Sequence, residues 1–211
     1  MNKKGVLIVL SGFSGAGKGT IVKKLLRTYD NYALSISMTT RNPRPGEEHG
    51  REYFFVEREV FEEHIAKDEL VEYAQYVGNY YGTPKAYVEE QLANGKDVIL
   101  EIEIQGALKI KERFPQALLL FVTTKSAKVL KDRLVGRGTE TLEVINDRMA
   151  RAVEESEGMG KYEYIIVNDD LDACVEETHT IIQKAKAAAF RNEEFIKNIQ
   201  QELKDLSKGE K

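Results

Sequence analysis

The chain has little cysteine and no long apolar run. Its one cysteine, Cys174, excludes a disulfide within the chain. The three histidines are scattered at no spacing typical of metal ligands, which speaks against a zinc site. The first apolar run, residues 5–10, is too short to cross a membrane, and no signal-peptide cleavage site follows it. We therefore expect a reduced, cytoplasmic protein with no membrane partner.

Basic residues are not in excess either. Lysine and arginine number 31 against 35 aspartates and glutamates, which gives a formal net charge of -4. Proteins that bind nucleic acid more often carry a positive balance, so we expect no nucleic-acid partner and look to local basic clusters instead. Length and composition suit a globular protein of one domain, or of one domain with insertions. They give no indication of protein partners.

Apolar runs of strand length alternate with helical patterns along most of the chain. The first run, residues 5–10, leads through a glycine-rich stretch into a helical pattern at 21–27. The later pairs are 97–102 with 107–114, 117–122 with 126–135, and 164–167 with a helix from about Leu171. This alternation predicts an α/β fold in which helices cover both faces of a parallel core sheet.

One long stretch breaks this alternation between the second and third core strands. Residues 39–50 are rich in arginine, proline, glycine and glutamate, which indicates a polar loop. The chain then continues with a short aromatic strand at 53–56, a helix near 57–67 and tyrosine-rich extended segments up to residue 82. We interpret residues 38–83 as a small subdomain inserted into the core.

A second break is the stretch at 136–141, which contains two glycines and precedes a charged helix at about 142–157. After residue 184 the chain is helical in character but highly charged. We therefore assign residues 1–37 and 84–184 to the core, and we expect a charged helical tail at 185–211.

The glycine-rich stretch after the first strand has the spacing of a phosphate-binding loop. Its pattern, Gly-x-x-x-x-Gly-Lys, runs from Gly12 to Lys18 and lies between a strand and a helix. Glycines let backbone N–H groups turn inward around a β-phosphate, and the following helix N-terminus adds a favourable dipole. Lys18 would reach the β- and γ-phosphates. The residues predicted to hold ATP are Gly12, Phe13, Ser14, Gly15, Ala16, Gly17, Lys18, Gly19 and Thr20.

The residue after Lys18 departs from the strict form of this motif. Gly19 stands where a Ser or Thr hydroxyl normally ligates Mg²⁺, and the nearest hydroxyl is on Thr20. Two alternatives stay open: Thr20 ligates the metal, or phosphates and water hold it. A dinucleotide-binding loop is excluded, because the spacing of Gly15 and Gly17 would require a glycine in place of Thr20.

A second polar constellation lies at residues 35–53. Arg41 and Arg44 are three residues apart and follow several hydroxyl side chains. Such a pair can clamp a phosphate monoester through charge-assisted hydrogen bonds, although a solvated polar loop would have the same composition. Pro43 and Pro45 oppose a helix here and favour a loop of defined shape.

This constellation and several later motifs resemble those of guanylate kinases. The first reads Ser35-x-Ser37-x-Thr39-Thr40-Arg41-x-x-Arg44-x-Gly46-Glu47-x-x-Gly50-x-x-Tyr53. The others are Glu72-Tyr73-Ala74, Gly78-Asn79-Tyr80-Tyr81-Gly82-Thr83, Glu101-Ile102-Glu103-Ile104-Gln105-Gly106, Arg137-Gly138-Thr139 and Val167-Asn168-Asp169-Asp170. They occur in the family's order, and the resemblance covers roughly residues 5–184.

The resemblance implies a P-loop three-layer enzyme with a core, a GMP-binding insertion and a lid at about 136–150. It would transfer the γ-phosphoryl group of ATP to GMP, giving ADP and GDP, with Mg²⁺ accompanying ATP. The positions that match GMP-phosphate ligands are Arg41, Arg44, Tyr53 and Tyr81, and those that match guanine ligands are Ser37, Glu72, Thr83 and Glu103. The expected catalytic residues are Lys18, Arg41, Arg133, Arg137 and Arg148, with Asn168 near adenine.

Two positions depart from the family's pattern. Phe13 stands where proline is frequent, which we expect to be tolerated. Glu103 is one methylene longer than the aspartate that is common there. Glu101, at the end of the same apolar strand, can instead help to order metal-bound water.

The residue types in the resemblance suit this chemistry. A buried carboxylate accepts the N–H donors at guanine N1 and N2 and rejects adenine, so Glu72 is the expected discriminator of the purine. No general base is needed, because a phosphate monoester with a second pKa of about 6 is already ionised. Two alternatives remain: a kinase for another nucleoside monophosphate, and a guanylate-kinase-like module that binds without catalysis.

Overall fold

Strands and helices alternate in the computed structural model, which describes residues 4–76, 78–136 and 141–209. The strands are β1 (Leu7–Gly12), β2 (Tyr32–Leu34), β3 (Met38–Thr39), β4 (Phe54–Phe55), β5 (Leu70–Tyr76), β6 (Asn79–Pro84), β7 (Asp97–Glu101), β8 (Leu118–Thr123) and β9 (Tyr164–Val167). The helices are α1 (Lys18–Thr28), α2 (Arg58–Ala66), α3 (Lys85–Ala93), α4 (Ile104–Arg113), α5 (Ala127–Gly136), α6 (Leu142–Ser156), α7 (Leu171–Lys186) and α8 (Glu193–Gly209). Short 3₁₀ helices at Met159–Lys161 and Ala189–Arg191 precede β9 and α8.

Five strands form the core sheet, all parallel and in the order β2-β7-β1-β8-β9. Ile8 at the centre aligns with Ile99 on one side and Leu118 on the other. Every residue of β1 is buried. Because successive side chains of a strand point to opposite faces, both faces of the sheet are covered. The predicted α/β fold with a parallel core sheet is confirmed.

Amphipathic helices cover this sheet through apolar residues at helical spacing. Ile21 and Leu25 of α1 are buried one turn apart, and Val175 and Ile182 of α7 are buried two turns apart. The sequence patterns do not predict α3, whose buried residue is Val88 alone. A helix with so narrow an apolar contact leaves almost no periodic signal in its sequence.

A buried carboxylate ties the amino end of β7 to the residues just before β1 and β2 and to the end of α7. Asp97 is fully buried. Its Oδ1 accepts a hydrogen bond from the Val6 backbone N at 2.9 Å, and its Oδ2 accepts one from Lys186 Nζ at 2.8 Å. Asn31 Nδ2 donates to the same Oδ2 at 2.9 Å. These partners offset the cost of burying a charge and fix the end of α7 at the edge of the sheet opposite the glycine loop.

The chain that interrupts the alternation forms a second sheet, in the order β4-β3-β6-β5. β3 pairs with β4 in parallel, whereas β6 runs antiparallel to both β3 and β5. Phe61 of α2 is fully buried and packs with Met38 and Leu70 in a small core separate from the main one. The second sheet is therefore a distinct layer with its own packing.

The tail predicted at 185–211 contains α8, which is exposed at residues 193–207. The turn before it is tied to the core, since Gln116 Nε2 donates to Phe190 O at 2.7 Å. Across the described ranges, neither α8 nor any other helix is both long and apolar enough to cross a membrane.

Candidate active site

The stretch between β1 and α1 is a tight loop that requires glycine at two positions. Gly12 and Gly17 have φ angles of 148° and 97°, in the left-handed region. A Cβ added at Gly12 would lie 2.1 Å from Val122 O, and one at Gly17 would lie 2.3 Å from Asn168 Nδ2. Gly17 also precedes the first turn of α1, whose leading N–H groups therefore open at the loop.

A cleft of about 360 Å³ lies against this loop. Lys18 lies across the loop, where its Nζ donates to Gly12 O at 2.6 Å and to Phe13 O at 3.3 Å. The residues that line the cleft are Ser14, Gly15, Gly17, Lys18, Gly19, Thr20, Lys23 and Glu101. Sequence reasoning missed Lys23, because it lies one helical turn beyond the motif and no motif position marks it.

Two side chains of the predicted ATP set point into the core instead. Phe13 is buried, and its ring packs edge-on against Phe121 with the centroids 5.0 Å apart. Ala16 is fully buried. Only backbone atoms of these two residues remain at the loop. The structure therefore accommodates Phe13 through core packing, as expected for a tolerated departure.

Glu101 lies directly beside the unusual Gly19. A Cβ added at Gly19 would lie 3.7 Å from each carboxylate oxygen of Glu101, which is ordinary contact. Desolvation by the surrounding protein raises the pKa of Glu101, and the charges of Lys18 and Lys23 partly oppose this, while the side chain stays open to the cleft. One acid and two lysines therefore surround the same cleft.

The Thr20 hydroxyl suits a Mg²⁺ ion whose other ligands are water and substrate phosphates. The residue is exposed and lines the cleft as well as a second hollow beside the loop. In the described ranges, no group of three or more His, Cys, Asp or Glu side chains is arranged to hold a metal. Mg²⁺ keeps several waters and usually binds through few protein oxygens plus substrate phosphates. An exposed hydroxyl beside a phosphate loop suits that mode of binding.

Asn168 and Arg133 fasten the loop from its other side. Asn168 is buried, and its Nδ2 donates to Ala16 O at 2.8 Å. Arg133 on α5 donates to Ala16 O at 3.2 Å and to Asn168 O at 2.7 Å. Both residues line a second hollow with Gly15, Gly17, Thr20, Asp169 and Leu171. Arg133, predicted to face the transferring phosphates, thus holds the backbone that would cradle them.

Arg148 also reaches the loop. It lies on α6, and its Nη1 donates to Ser14 Oγ at 3.0 Å. Arg137, the remaining arginine of the predicted catalytic set, falls at 137–140, outside the described residues. Of the predicted catalytic residues, the structure therefore gathers Lys18, Arg133 and Arg148 around one loop.

Arg41 is oriented by an acid from its own loop. Its Nη2 donates to both carboxylate oxygens of Glu47, at 3.1 and 2.9 Å, and its Nη1 donates to Asn42 O at 2.7 Å. Glu47 also accepts from the Arg44 backbone N at 2.8 Å. Partial burial works against the charge of Arg41, but its hydrogen bonds and charge interaction with Glu47 raise its pKa. Sequence reasoning missed this organising role of Glu47.

Two tyrosines stand next to Arg41. Its guanidinium carbon lies 5.4 Å from the centroid of the Tyr53 ring, within cation–π range. The rings of Tyr53 and Tyr81 are 6.0 Å apart. Burial raises the pKa of Tyr53, so its hydroxyl stays protonated and can donate a hydrogen bond. The Arg44 side chain, in contrast, is exposed.

Glu72 and Thr83 meet across the second sheet. Thr83 Oγ1 donates to Glu72 Oε1 at 2.8 Å. A Cβ added at Gly106 would lie 3.2 Å from Glu72 Oε2, so the first turn of α4 approaches the carboxylate closely. Glu72 is 8% exposed, and this burial raises its pKa against the opposing effect of the Thr83 hydrogen bond. The carboxylate keeps further lone pairs that can accept N–H donors of a ligand.

The other two residues predicted to read guanine lie on neighbouring connections. Ser37 lies between β2 and β3 and is half-buried, and its carbonyl accepts from Phe54 N at 2.9 Å. Glu103 is the N-cap residue of α4, and burial together with the neighbouring charge of Glu103 raises the pKa of Glu155 of α6 to about 7. Sequence reasoning did not select Glu155, because a glutamate on a charged helix carries no signal of its own.

Comparison with known proteins gives a consistent result. A family model described as guanylate kinase matches residues 4–185. The guanylate kinase of Halalkalibacterium halodurans is 53% identical over 180 residues, which cover 85% of this chain and 88% of that protein. A guanylate kinase of Streptococcus thermophilus is 47% identical over 212 residues, with 100% of both chains covered. The crystal structure of guanylate kinase from Anaplasma phagocytophilum matches with a TM-score of 0.72 and 30% identity over 90% of each chain. The chain belongs to the guanylate kinase family.

Proposed function

We propose that this protein transfers the γ-phosphoryl group of ATP to GMP and releases ADP and GDP. The buried pair of Glu72 and Thr83 is the observation that carries the proposal. A phosphate-binding loop is common to many kinases, whereas a buried carboxylate that can accept two N–H donors favours a guanine acceptor. Membership of the guanylate kinase family supports the same reaction.

The donor half would bind ATP mainly through backbone groups. The glycine loop presents N–H groups and the N-terminus of α1 to the β- and γ-phosphates. Lys18 Nζ, which lies over Gly12 O, would move its hydrogen bonds onto phosphate oxygens. When bound with ATP, Mg²⁺ supplies further positive charge at these phosphates, and Thr20 would be its protein ligand. Asn168 would lie on the adenine side, beside the second hollow.

The acceptor half would hold the GMP phosphate by side chains. Arg41 already presents a planar fork, because Glu47 orients its guanidinium. Tyr53 and Tyr81 stand next to it with hydroxyls that can donate to phosphate oxygens. Arg44 is exposed and would close on the phosphate when GMP arrives. Together these groups would form a monoester site.

Guanine would be read by Glu72, assisted by Thr83, Ser37 and Glu103. An ionised Glu72 can accept both the N1 and N2 hydrogens, while Thr83 fixes one carboxylate oxygen by its own donated bond. Adenine would bring the lone pair of its N1 against the carboxylate, and a site that loses its buried hydrogen bonds rejects such an analogue strongly. Base choice would therefore rest on hydrogen bonds more than on the shape of the pocket.

Phosphoryl transfer would depend on position and charge. The attacking oxygen belongs to the GMP phosphate, which is ionised at neutral pH, so no side chain has to remove a proton. The obstacle is repulsion between two polyanions, and Lys18, Arg41 and Arg148 would screen it. Arg137 would join them, and Arg133 would act by holding the loop backbone.

We further propose a division of labour along the chain. Residues 1–37 and 84–184 would form the kinase core, residues 38–83 the GMP-binding insertion, and residues 136–150 a lid that excludes water. The charged tail predicted at 185–211 would lie outside this machinery. We infer that the enzyme works in the cytoplasm on free nucleotides, with neither nucleic acid nor membrane as a partner.

The experiment that tests this function is a panel of nucleoside monophosphates assayed with ATP and Mg²⁺. GMP should be the preferred acceptor by a large factor in kcat/KM. A preference for AMP or a pyrimidine nucleotide would contradict the guanine assignment. Failure to bind ATP would instead favour a non-catalytic binding module.

A further inference from the structure

Strand β5 is irregular at the point where it carries Glu72. Leu70 of β5 aligns with Pro84 of β6, and Tyr73 aligns with Gly82. Three steps along β5 therefore match two steps along β6, so β5 contains one extra residue between these two pairs. This arrangement is a β-bulge, a feature that re-aims a side chain and is frequent next to active sites.

The bulge turns Glu72 away from the face that its position in the strand would give it. Leu70 packs in the small core of the second sheet, and Val71 packs in the main core. In a regular strand Glu72 would point to the same face as Leu70, because successive side chains alternate. Its carboxylate instead lies beside Gly106 of α4, a helix whose apolar residues belong to the main core. The direction of Glu72 therefore depends on the shape of the bulge.

Arg113 of α4 bonds to the backbone of this bulge. Its Nη1 donates to Leu70 O at 3.0 Å and to Val71 O at 3.3 Å. Its Nη2 donates to both carboxylate oxygens of Asp68, at 2.6 and 2.8 Å. Asp68 lies just before β5 and has a left-handed φ of 52°. One guanidinium therefore holds two carbonyl groups of the bulge together with the turn that leads into it.

Lys109 contacts β5 on the other side of Glu72. It lies four residues before Arg113, so the two side chains share a face of α4. Lys109 Nζ donates to Tyr73 O at 3.3 Å. Burial raises the pKa of Glu72, and the charge of Lys109 opposes this effect. Two cations of one helix thus hold the β5 backbone immediately before and immediately after Glu72.

We propose that Arg113 is a positioning residue for recognition of the base. By holding the bulge against α4, it sets the direction from which the Glu72 carboxylate meets the N1 and N2 hydrogens of guanine. Its Nη1 and Nη2 donate to oxygens of the protein, so Arg113 acts through Glu72 and does not itself bind the nucleotide. This inference rests on the proposed function, because Glu72 reads guanine only if GMP is the acceptor.

Loss of Arg113 should reduce the discrimination between bases more than it reduces binding in general. IMP has the N1 hydrogen of GMP but lacks the N2 amino group. A well-aligned carboxylate accepts both donors of guanine, so the protein should bind GMP more tightly than IMP. A displaced carboxylate makes only one of the two bonds. The Kd for GMP should then rise by about tenfold, and the Kd for IMP should change much less.

The test measures the Kd of GMP and of IMP by calorimetry. Arg113→Met removes every donor and should reduce the preference for GMP over IMP by about tenfold. Arg113→Lys keeps the charge but not the planar fork, so it should recover part of that preference. The matched control is Lys111→Met, because Lys111 is also a cation of α4 and donates to a backbone oxygen away from β5, Ala117 O, at 2.7 Å. This control should keep the full preference for GMP, even if its melting temperature falls.

A double-substitution cycle with Glu72→Gln separates positioning from general stability. If Arg113 acts through Glu72, adding Arg113→Met to Glu72→Gln should change the Kd for GMP by no more than about twofold. Full additivity of the two effects would overturn the inference. The kcat at saturating GMP should fall by less than about threefold in Arg113→Met, because the donor loop is not affected. The same cycle with Arg113→Lys answers the question if Arg113→Met does not fold.

The nucleotide panel distinguishes failure of this inference from failure of the proposed function. In an enzyme that prefers GMP, an unchanged preference for GMP over IMP in Arg113→Met would overturn the role of Arg113 and leave the proposed function intact. A preference for another nucleotide in the unaltered protein would overturn both.

Discussion

The proposed donor and acceptor halves of this site are made from different parts of the polypeptide. The donor half is one contiguous loop whose shape depends on Gly12 and Gly17, and it offers mainly backbone N–H groups. The acceptor half consists of side chains, Arg41, Glu72 and Thr83 among them, from a loop and two strands. A site built from backbone is fixed by local conformation, whereas a site built from side chains depends on how distant elements pack.

This difference predicts how each half responds to substitution. A backbone site should fail sharply when a residue alters φ or fills the loop, because every N–H group moves together. A side-chain site should lose binding in steps, one hydrogen bond at a time.

The largest effect should come from Lys18→Ala, which removes a charged side chain that lies across the donor loop. We expect kcat to fall by about 10³-fold, because the lost charge would stabilise the transferring phosphoryl group. GMP binding, measured by calorimetry, should stay within about threefold of normal. Lys23→Ala, from the same cleft, is the control and should cost far less. An equal loss of GMP binding in Lys18→Ala would show that Lys18 belongs to both halves.

A pair of glycine variants tests whether backbone shape governs the donor half. Gly17→Ala places a Cβ 2.3 Å from Asn168 Nδ2 at a φ of 97°, so the loop must shift. A displacement of about 1 Å can reduce turnover by about 10²-fold, and we expect that loss in kcat. Gly19→Ala is the matched control, since its Cβ would be in ordinary contact 3.7 Å from Glu101. Similar losses of kcat in both variants would show that the left-handed φ of Gly17 is not what the donor loop requires.

Glu72→Gln tests whether the acceptor half loses binding in steps. The amide replaces one acceptor oxygen by a donor, which then faces the N–H groups of guanine. We expect the KM for GMP to rise by about 10- to 100-fold, with a smaller change in kcat and weaker discrimination against AMP. Thr83→Val, which removes only the hydroxyl that holds Glu72, should raise the KM less. A KM for GMP unchanged in Glu72→Gln would remove Glu72 from the base-reading role.

The same contrast explains what the sequence could predict. The glycine loop was identified from its spacing because the residues that shape it are contiguous. The core sheet was identified because strands buried on both faces are continuous apolar runs, as in β1 and β8. Both features depend on local patterns, so a single sequence contains them.

Other contacts depend on packing that no local pattern reports. Glu72 faces Thr83 because β5 and β6 pair with a shift of register between Leu70 and Tyr73, which sequence periodicity does not specify. Arg133 also bonds to Ala16 O, a contact that the sequence does not indicate, because only the folded chain brings α5 to the loop.

The smallest expected effect is on the stability of the folded protein. It measures what burial of the Glu72 carboxylate costs, independently of any role in binding GMP. Burial raises the pKa of Glu72 above its ordinary value of 4.5. The folded protein therefore binds this proton more tightly than the unfolded chain does. The resulting stabilisation is complete below the ordinary pKa and is lost as the pH rises through the higher pKa of the folded state.

Glu72→Gln has no such titration, so its melting temperature relative to the unaltered protein should increase as the pH rises through this window and then level off. Differential scanning calorimetry of both proteins measures this difference, from which the titration of Glu155 cancels because both contain it. Glu89→Gln, an exposed change on α3, is the control and should give a difference independent of pH. A difference that shrinks with rising pH would mean that the folded protein favours the ionised form of Glu72. The neighbours of Glu72 would then stabilise its ionised form, and burial of this carboxylate would not lower the stability of the folded protein at high pH.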